Sequence, residues 1–128
     1  MAKYEIIDGV GIIPQGVTTI EYRAFWGCEN LVSIDIPDSV TTIGDRAFCS
    51  CKNLTSIVIP NSVTKIGDEA FYGCANLTSI VIPDSVTTIG SGAFRGCMAL
   101  EKICVSKGKT DYFKRLLPAE LHDKIVER

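Results

Sequence analysis

A chain of 128 residues, 46% of them apolar, suffices for one hydrophobic core but not for several domains. Its net charge of −2, with no Lys/Arg cluster before residue 107, excludes the basic face of a nucleic-acid binder. The longest apolar runs are far too short to span a bilayer, and residues 1–13 lack the charged start, long apolar stretch and small-residue cleavage site of a signal peptide. As written, the chain reads as cytoplasmic, or as secreted or surface-displayed if a leader has been removed.

Residues 1–13 come first and read as a thin N-terminal lid, a degenerate repeat. Tyr4, Ile6 and Ile7 precede a strand-like run of Val10, Ile12 and Ile13, with Val17 beyond. Asp8 and Gly11 stand where later repeats carry leucine and isoleucine. From 14 to 106 one phrase recurs every 23 residues: Leu-x-x-Ile-x-Ile-Pro-x-x-Val-Thr-x-Ile-Gly-x-x-Ala-Phe-x-x-Cys. Proline marks it at Pro14, Pro37, Pro60 and Pro83. Phenylalanine follows at Phe25, Phe48, Phe71 and Phe94, and cysteine at Cys28, Cys51, Cys74 and Cys97. A period of this length with leucine and isoleucine at fixed offsets predicts a leucine-rich-repeat solenoid.

Residues 54–76 show how one repeat becomes one coil. Leu54, Ile57 and Ile59 point inward while Ser56 and Val58 alternate outward, which is strand spacing. Pro60 removes a donor and ends the strand. Val63 and Ile66 anchor a second short extended run, and Gly67 is expected to permit a sharp bend. Residues 68–73 then predict a single helical turn, with Asp68 as N-cap and Gly73 just past its end. No coil buries its own apolar side alone. Stacking places Leu54 between Leu31 and Leu77, Ile57 between Ile34 and Ile80, and Phe71 between Phe48 and Phe94. The strands are expected to form one parallel sheet on the inner, concave face, with the thicker turns opposite.

After residue 106 the pattern changes. Ser106 and Lys109 replace the expected proline and valine, and Tyr112, Phe113, Leu116 and Leu117 fall at helical spacing. Pro118 is placed to start a second short helix carrying Leu121, Ile125 and Val126. Residues 107–128 therefore predict a helical C-terminal cap, because an uncovered last coil would expose core and sheet edge.

The phrases Ile-Pro-Asp-Ser-Val-Thr-Thr-Ile-Gly and Ala-Phe-x-Gly-Cys, at 36–44, 82–90 and 93–97, resemble the BspA-like class of leucine-rich repeats, found in bacterial and some protozoan surface proteins. The resemblance covers roughly residues 10–106. It implies a right-handed β-α superhelix and a role in adhesion or protein binding, with no catalytic residues and no cofactor.

Two surfaces are candidates for that role. On the strand face, Val10, Ser33, Ser56, Ser79 and Lys102 form one outward column, and Ile12, Asp35, Val58, Val81 and Cys104 the other. Serine beside valine makes a flat, mildly apolar strip able to accept a protein segment, although β-branched residues also simply suit strands. On the turns, Trp26, Cys49, Tyr72 and Arg95 follow the four phenylalanines and should point outward. Exposed Trp, Tyr and Arg are the types enriched in binding hot spots.

Catalysis finds little support. His122 is the sole histidine and lies in the expected cap, so any Ser-His-Asp or Cys-His arrangement would depend on it. Asp45, Asp68 and Asp84 lie at bends, and the glycines mark repeat corners rather than a phosphate loop. The four periodic cysteines read as small buried hydrophobes. A column spaced ~4.8 Å along the stack does not converge on a zinc ion at ~2.3 Å. Cys49 and Cys104, off that column, are expected to face solvent. The chain thus reads as a non-enzymatic protein-binding module without metal or cofactor. The alternative is a small structural or self-associating unit: strand 9–13, expected to leave an open edge, would pair two chains through residues 4–20 as a weak dimer.

Overall fold

The computed structural model describes residues 4–128. Residues 1–3 of the expected N-terminal lid lie outside the described residues. Coils run from 8–30, 31–53, 54–76 and 77–99, and a fifth begins at 100. The strand halves are β2 (Val10–Ile12), β4 (Ser33–Asp35), β6 (Ser56–Val58), β8 (Ser79–Val81) and β10 (Lys102–Val105). The shorter second runs are β3 (Thr19–Ile20), β5 (Thr42–Ile43), β7 (Lys65–Ile66) and β9 (Thr88–Ile89). Partners along the stack are 23 residues apart, as in Ile57↔Ile80 and Ile43↔Ile66, so each repeat position becomes a column. The sequence reading anticipated no second sheet, yet β3, β5, β7 and β9 pair in parallel as one.

The strand face differs from the single sheet expected. It divides into one sheet of β1 (Ile6–Ile7), β2 and β4 and another of β11 (Ile125–Glu127), β10, β8 and β6. β4 and β6 are neighbours without a ladder between them. In the third and fourth coils the residue after the strand bonds onward, Ile59 N–H to Val81 O at 3.1 Å and Ile82 N–H to Cys104 O at 3.0 Å, whereas Ile13, after β2, makes no such bond among the described residues. Among the described residues no carbonyl accepts from the equivalent Ile36 N–H. Asp35 stands here where the next two coils carry Val58 and Val81. Aspartate is a poor strand residue because its carboxylate competes for nearby backbone groups.

Both ends correct the sequence reading. β1 (Ile6–Ile7) folds back antiparallel on β2, Ile6↔Gly11 and Ile7↔Val10, so the edge expected to stand open is paired. At the other end α1 (Thr110–Leu116) sends Phe113 into the core, and Leu117 is buried just after it. The Tyr112 hydroxyl donates to Val86 O at 2.6 Å. The second helix predicted through Ile125 and Val126 is instead a 3-10 helix, Ala119–Lys124, followed by a strand, β11 (Ile125–Glu127). β11 adds in parallel to β10, Cys104↔Val126, because the pairing of β10's free edge outweighs local helical spacing.

The core is the set of inward columns. Phe25, Phe48, Phe71 and Phe94 stack face to face with centroids 5.2–5.4 Å apart. Tyr4 extends the stack at 5.7 Å from Phe25. The stretch expected as a helical turn is built otherwise. Alternate N–H groups close i→i−3 turns, such as Tyr72 to Glu69 O, while those between them bond to the next coil, such as Phe71 to Ala93 O at 2.8 Å. Left-handed residues make this possible: Glu69 at φ 53° and Gly73 at φ 72° in the third coil. Asp68 is therefore no N-cap; its Oδ1 accepts the N–H of Ser91 in the next coil at 2.9 Å. Gly67 serves close approach rather than a bend, since a Cβ there would lie 2.6 Å from Asp45 N.

Candidate functional site

The strand face carries the expected outward columns. Val58 is 63% exposed and Ile12 41%, and Asp35, Ser56 and Lys102 are exposed. Val10, Ser33, Ser79, Val81 and Cys104 are half-buried. Asp35 and Lys102 are the only charged residues among these ten. β11 brings in Val126, also 41% exposed, as a sixth member of the Ile12–Cys104 column. The sequence reading put Val126 on a helix rather than on this face, because its strand exists only through pairing with β10.

The unpaired joint lies within this face. A groove of about 350 Å³ runs between β4 and β6, walled by Ser33, Asp35, Ile36, Ser56, Val58 and Pro60. A second, of about 410 Å³, begins at Val58 and passes Val81 and Cys104 to Arg128. Val58 lines both. The chemistry on offer is an apolar strip with one carboxylate and a strand edge whose Ile36 N–H lacks a backbone acceptor.

The turn side is different. Trp26 is 45% exposed, Tyr72 38%, and Arg95 is exposed, but Cys49 is 7% exposed and so is not part of an outward row. The expectation for Cys49 fails because a short side chain is shielded in a column flanked by Trp26 and Tyr72. What the sequence reading missed is a set of polar contacts among neighbours. The Arg23 guanidinium carbon lies 4.3 Å from the Trp26 ring centroid and 5.2 Å from that of Tyr22, which is 55% exposed. Arg46 pairs with Glu69 at 2.6 Å and reaches the Tyr22 hydroxyl at 3.4 Å. The hydrogen bond to Glu69 pushes the Arg46 guanidinium still higher in pKa, so it stays charged. Residues 23, 46 and 69 form one column, and that spacing alone was the available signal.

The cysteine column is hydrogen-bonded, and it is buried at Cys28, Cys51 and Cys74 but only half-buried at Cys97. Cys51, Cys74 and Cys97 donate from Sγ to Phe25 O, Phe48 O and Phe71 O, one coil earlier, at 3.0–3.1 Å. Each of these carbonyls also accepts a backbone N–H, as Phe48 O does from Cys51, so both its lone pairs are used. Burial pushes the Cys51 thiol up to about 12 and that of Cys97 to about 11, and raises Cys28 and Cys74 as well. Such thiols are poor nucleophiles and poor metal ligands. All six cysteines are free, and Cys104 is half-buried rather than fully open to solvent. Among the described residues no group of three or more His, Cys, Asp or Glu is placed to hold a metal ion. His122 is half-buried and donates from Nε2 to Leu117 O at 2.8 Å. Among the described residues no helix is long and apolar enough to cross a membrane.

Comparison with known proteins agrees with this geometry. The model of the BspA type leucine rich repeat region matches residues 11–115, in six copies. A leucine-rich repeat protein from Bacteroides ovatus superposes with a TM-score of 0.73 at 33% identity, over 87% of this chain and 28% of that one. A leucine rich cell surface protein from Faecalibacterium prausnitzii gives 0.62 at 36% identity, over 87% of this chain and 35% of that one. The leucine rich repeat protein of T. pallidum gives 0.61 at 28% identity, over 84% and 58%. The chain thus spans about a third of the length of the first two. Comparison with curated proteins gives no match. The recurring phrase, the parallel 23-residue register and the matched family model together place the chain in the BspA-type leucine-rich-repeat family.

Proposed function

We propose that the chain is a non-enzymatic protein-binding module of interaction or adhesion type. In this reading the coils form a right-handed superhelix with the strands on its concave side, and residues 107–128 cap its end. A segment of a partner protein lies across the strand face at the joint between the second and third coils. The observation that carries the reading is Val58: 63% exposed, it lines both grooves and adjoins the unpaired edge of β4. Exposed apolar side chains beside an unpaired edge are what strand-adding partners use. The exposed aromatic groups around Tyr22 and Trp26, by contrast, are already engaged with Arg23. By analogy with the cell surface protein of Faecalibacterium prausnitzii, display at a surface is the favoured setting.

The test is a double variant, Val58→Lys with Val81→Glu, used against proteins captured by the wild-type chain from a lysate of its source organism. Binding should be lost while the chain stays folded, since Val58 is exposed and substitutions at such positions change stability little, and the half-buried Val81 leaves the core columns intact. A Trp26→Ala, Tyr72→Ala variant should bind as before. The reverse pattern moves the site to the turn side. Self-association remains the second reading because Ile7, on the two-residue edge strand β1, is 52% exposed. Light scattering over a concentration series decides it: a monomer at high micromolar concentration removes it.

A further inference from the structure

At each joint between full coils the turn side is sewn together by a row of N–H groups. Arg23, Phe25 and Gly27 donate to Asp45, Ala47 and Cys49; Arg46, Phe48 and Ser50 donate to Asp68, Ala70 and Tyr72; Glu69, Phe71 and Gly73 donate to Ser91, Ala93 and Arg95, at 2.6–3.2 Å. The fourth coil repeats the geometry, with Gly92 at φ 66° and Gly96 at φ 80° matching the left-handed residues of the coils before it. Its own row, the N–H groups of Gly92, Phe94 and Gly96, finds no acceptor among the described residues. No fifth turn follows; the chain departs into α1 instead.

A cavity of about 460 Å³ lies against this row. Leu116, Pro118 and Leu121 line it from the C-terminal segment, Arg95 and Lys124 bring two cations, and Glu120 one carboxylate. Its volume is in the range of pockets that hold small ligands. Three donors on alternate residues are too spread out for one anion to satisfy, whereas peptide carbonyls at alternate residues meet such a row in all three internal joints. Phe94 is buried, Gly92 half-buried and Gly96 exposed, and backbone N–H groups left without a protein acceptor along such a row favour an occupant that supplies carbonyls. The two cations favour acidic side chains on it.

We propose that this cavity binds a short acidic peptide segment of a partner protein, held as a further row of the turn-side ladder by Gly92, Phe94 and Gly96. The site is separate from the strand face, so either assignment can fail alone. The test uses the whole chain labelled with ¹⁵N and titrated with the blocked pentapeptide Asp-Ala-Glu-Ala-Asp. The amide signals of Gly92, Phe94 and Gly96 should shift together and saturably, with those of Arg23 to Gly27 unmoved. The blocked peptide Lys-Ala-Lys-Ala-Lys should cause no shift. An Arg95→Glu, Lys124→Glu variant, folded by its remaining amide spectrum, should weaken the acidic peptide at least tenfold. Three results overturn the proposal: no shift at millimolar acidic peptide, leaving solvent as the occupant; equal shifts with sodium acetate, which make it a simple anion site; or shifts on raising protein concentration alone, which make the occupant a second copy of this chain.

Discussion

Between the third and fourth coils the strands pair in register, Ile59 N–H bonds to Val81 O, and Ser85 Oγ donates to Val63 O at 2.7 Å. Between the second and third coils each of these is missing. β4 and β6 form no ladder, Ile36 N–H has no carbonyl, and Ser62 Oγ is buried without a partner among the described residues. The turn side of the same joint is intact: β5 pairs with β7, Phe48 N–H meets Ala70 O at 2.8 Å, and Cys74 Sγ bonds Phe48 O. Arg46 and Glu69 also bridge that joint. One repeat phrase thus gives two joints, one closed all round and one whose strand side keeps the Thr55 N–H bond to Val32 O at 3.3 Å but no ladder beyond it. A stack with redundant ties keeps its core while one face loosens, and the loosened face is where Val58 stands out.

The largest expected effect probes whether the open joint divides the stack. Phe71→Ala removes a ring stacked between Phe48 and Phe94 and should cost about 3–5 kcal/mol. Because the turn side is continuous, urea denaturation should stay a single transition. Two separated transitions would mean that coils on either side of the open joint fold independently.

The thiol staples give the next effect. Burial raises the Cys51 thiol from 9.0 to about 12, so the folded state holds a proton that the unfolded chain gives up first. That stability is fully present below pH 9.0 and is lost as pH rises toward about 12. Melting temperature should therefore be flat up to pH 9.0 and fall above it, and Cys51→Ala should flatten the fall. Cys74→Ala, which cuts the staple across the open joint, should cost about 1–2 kcal/mol at neutral pH. No loss there would show that the turn-side ladder alone holds the joint.

Much of this was legible in the repeat. Fixed offsets were enough to place Phe71, Cys74 and Ile57 in the core and Ser56 and Val58 outside it, because a column inherits its environment from its neighbours. The open joint was not legible, since Ser33-Ile34-Asp35 and Ser56-Ile57-Val58 share one pattern and differ by a single side chain. The turn hid its ladder because its left-handed residues include Arg46, Ser50 and Glu69, types that rarely adopt that conformation and carry no glycine signal. Strand β11 and the burial of Cys49 depend on partners distant in sequence, and local spacing does not encode them.

A smaller effect follows from the one residue that sets the open joint apart. Asp35→Val should let β4 pair with β6 and stabilise the fold by roughly 1 kcal/mol, the span of strand propensities. Amide exchange at Ile36 should slow in that variant. Unchanged exchange would mean that Asp35 is not what holds the joint open. The smallest contrast lies between two serines in one column. Ser85→Ala removes a bond and should cost about 1 kcal/mol, while Ser62→Ala removes an unpartnered hydroxyl and should be neutral or slightly stabilising. Equal losses at the two sites would show that Ser62 is bonded in solution.

Site-specific photocrosslinking tests the central claim most directly. A benzophenone amino acid is placed at Val58 in one variant and at Tyr72 in another, and each is irradiated with the partner captured by the wild-type chain. Capture by the Val58 variant, with none by the Tyr72 variant, is the result expected of a partner lying across the strand face. A crosslink from Tyr72 without one from Val58 contradicts it.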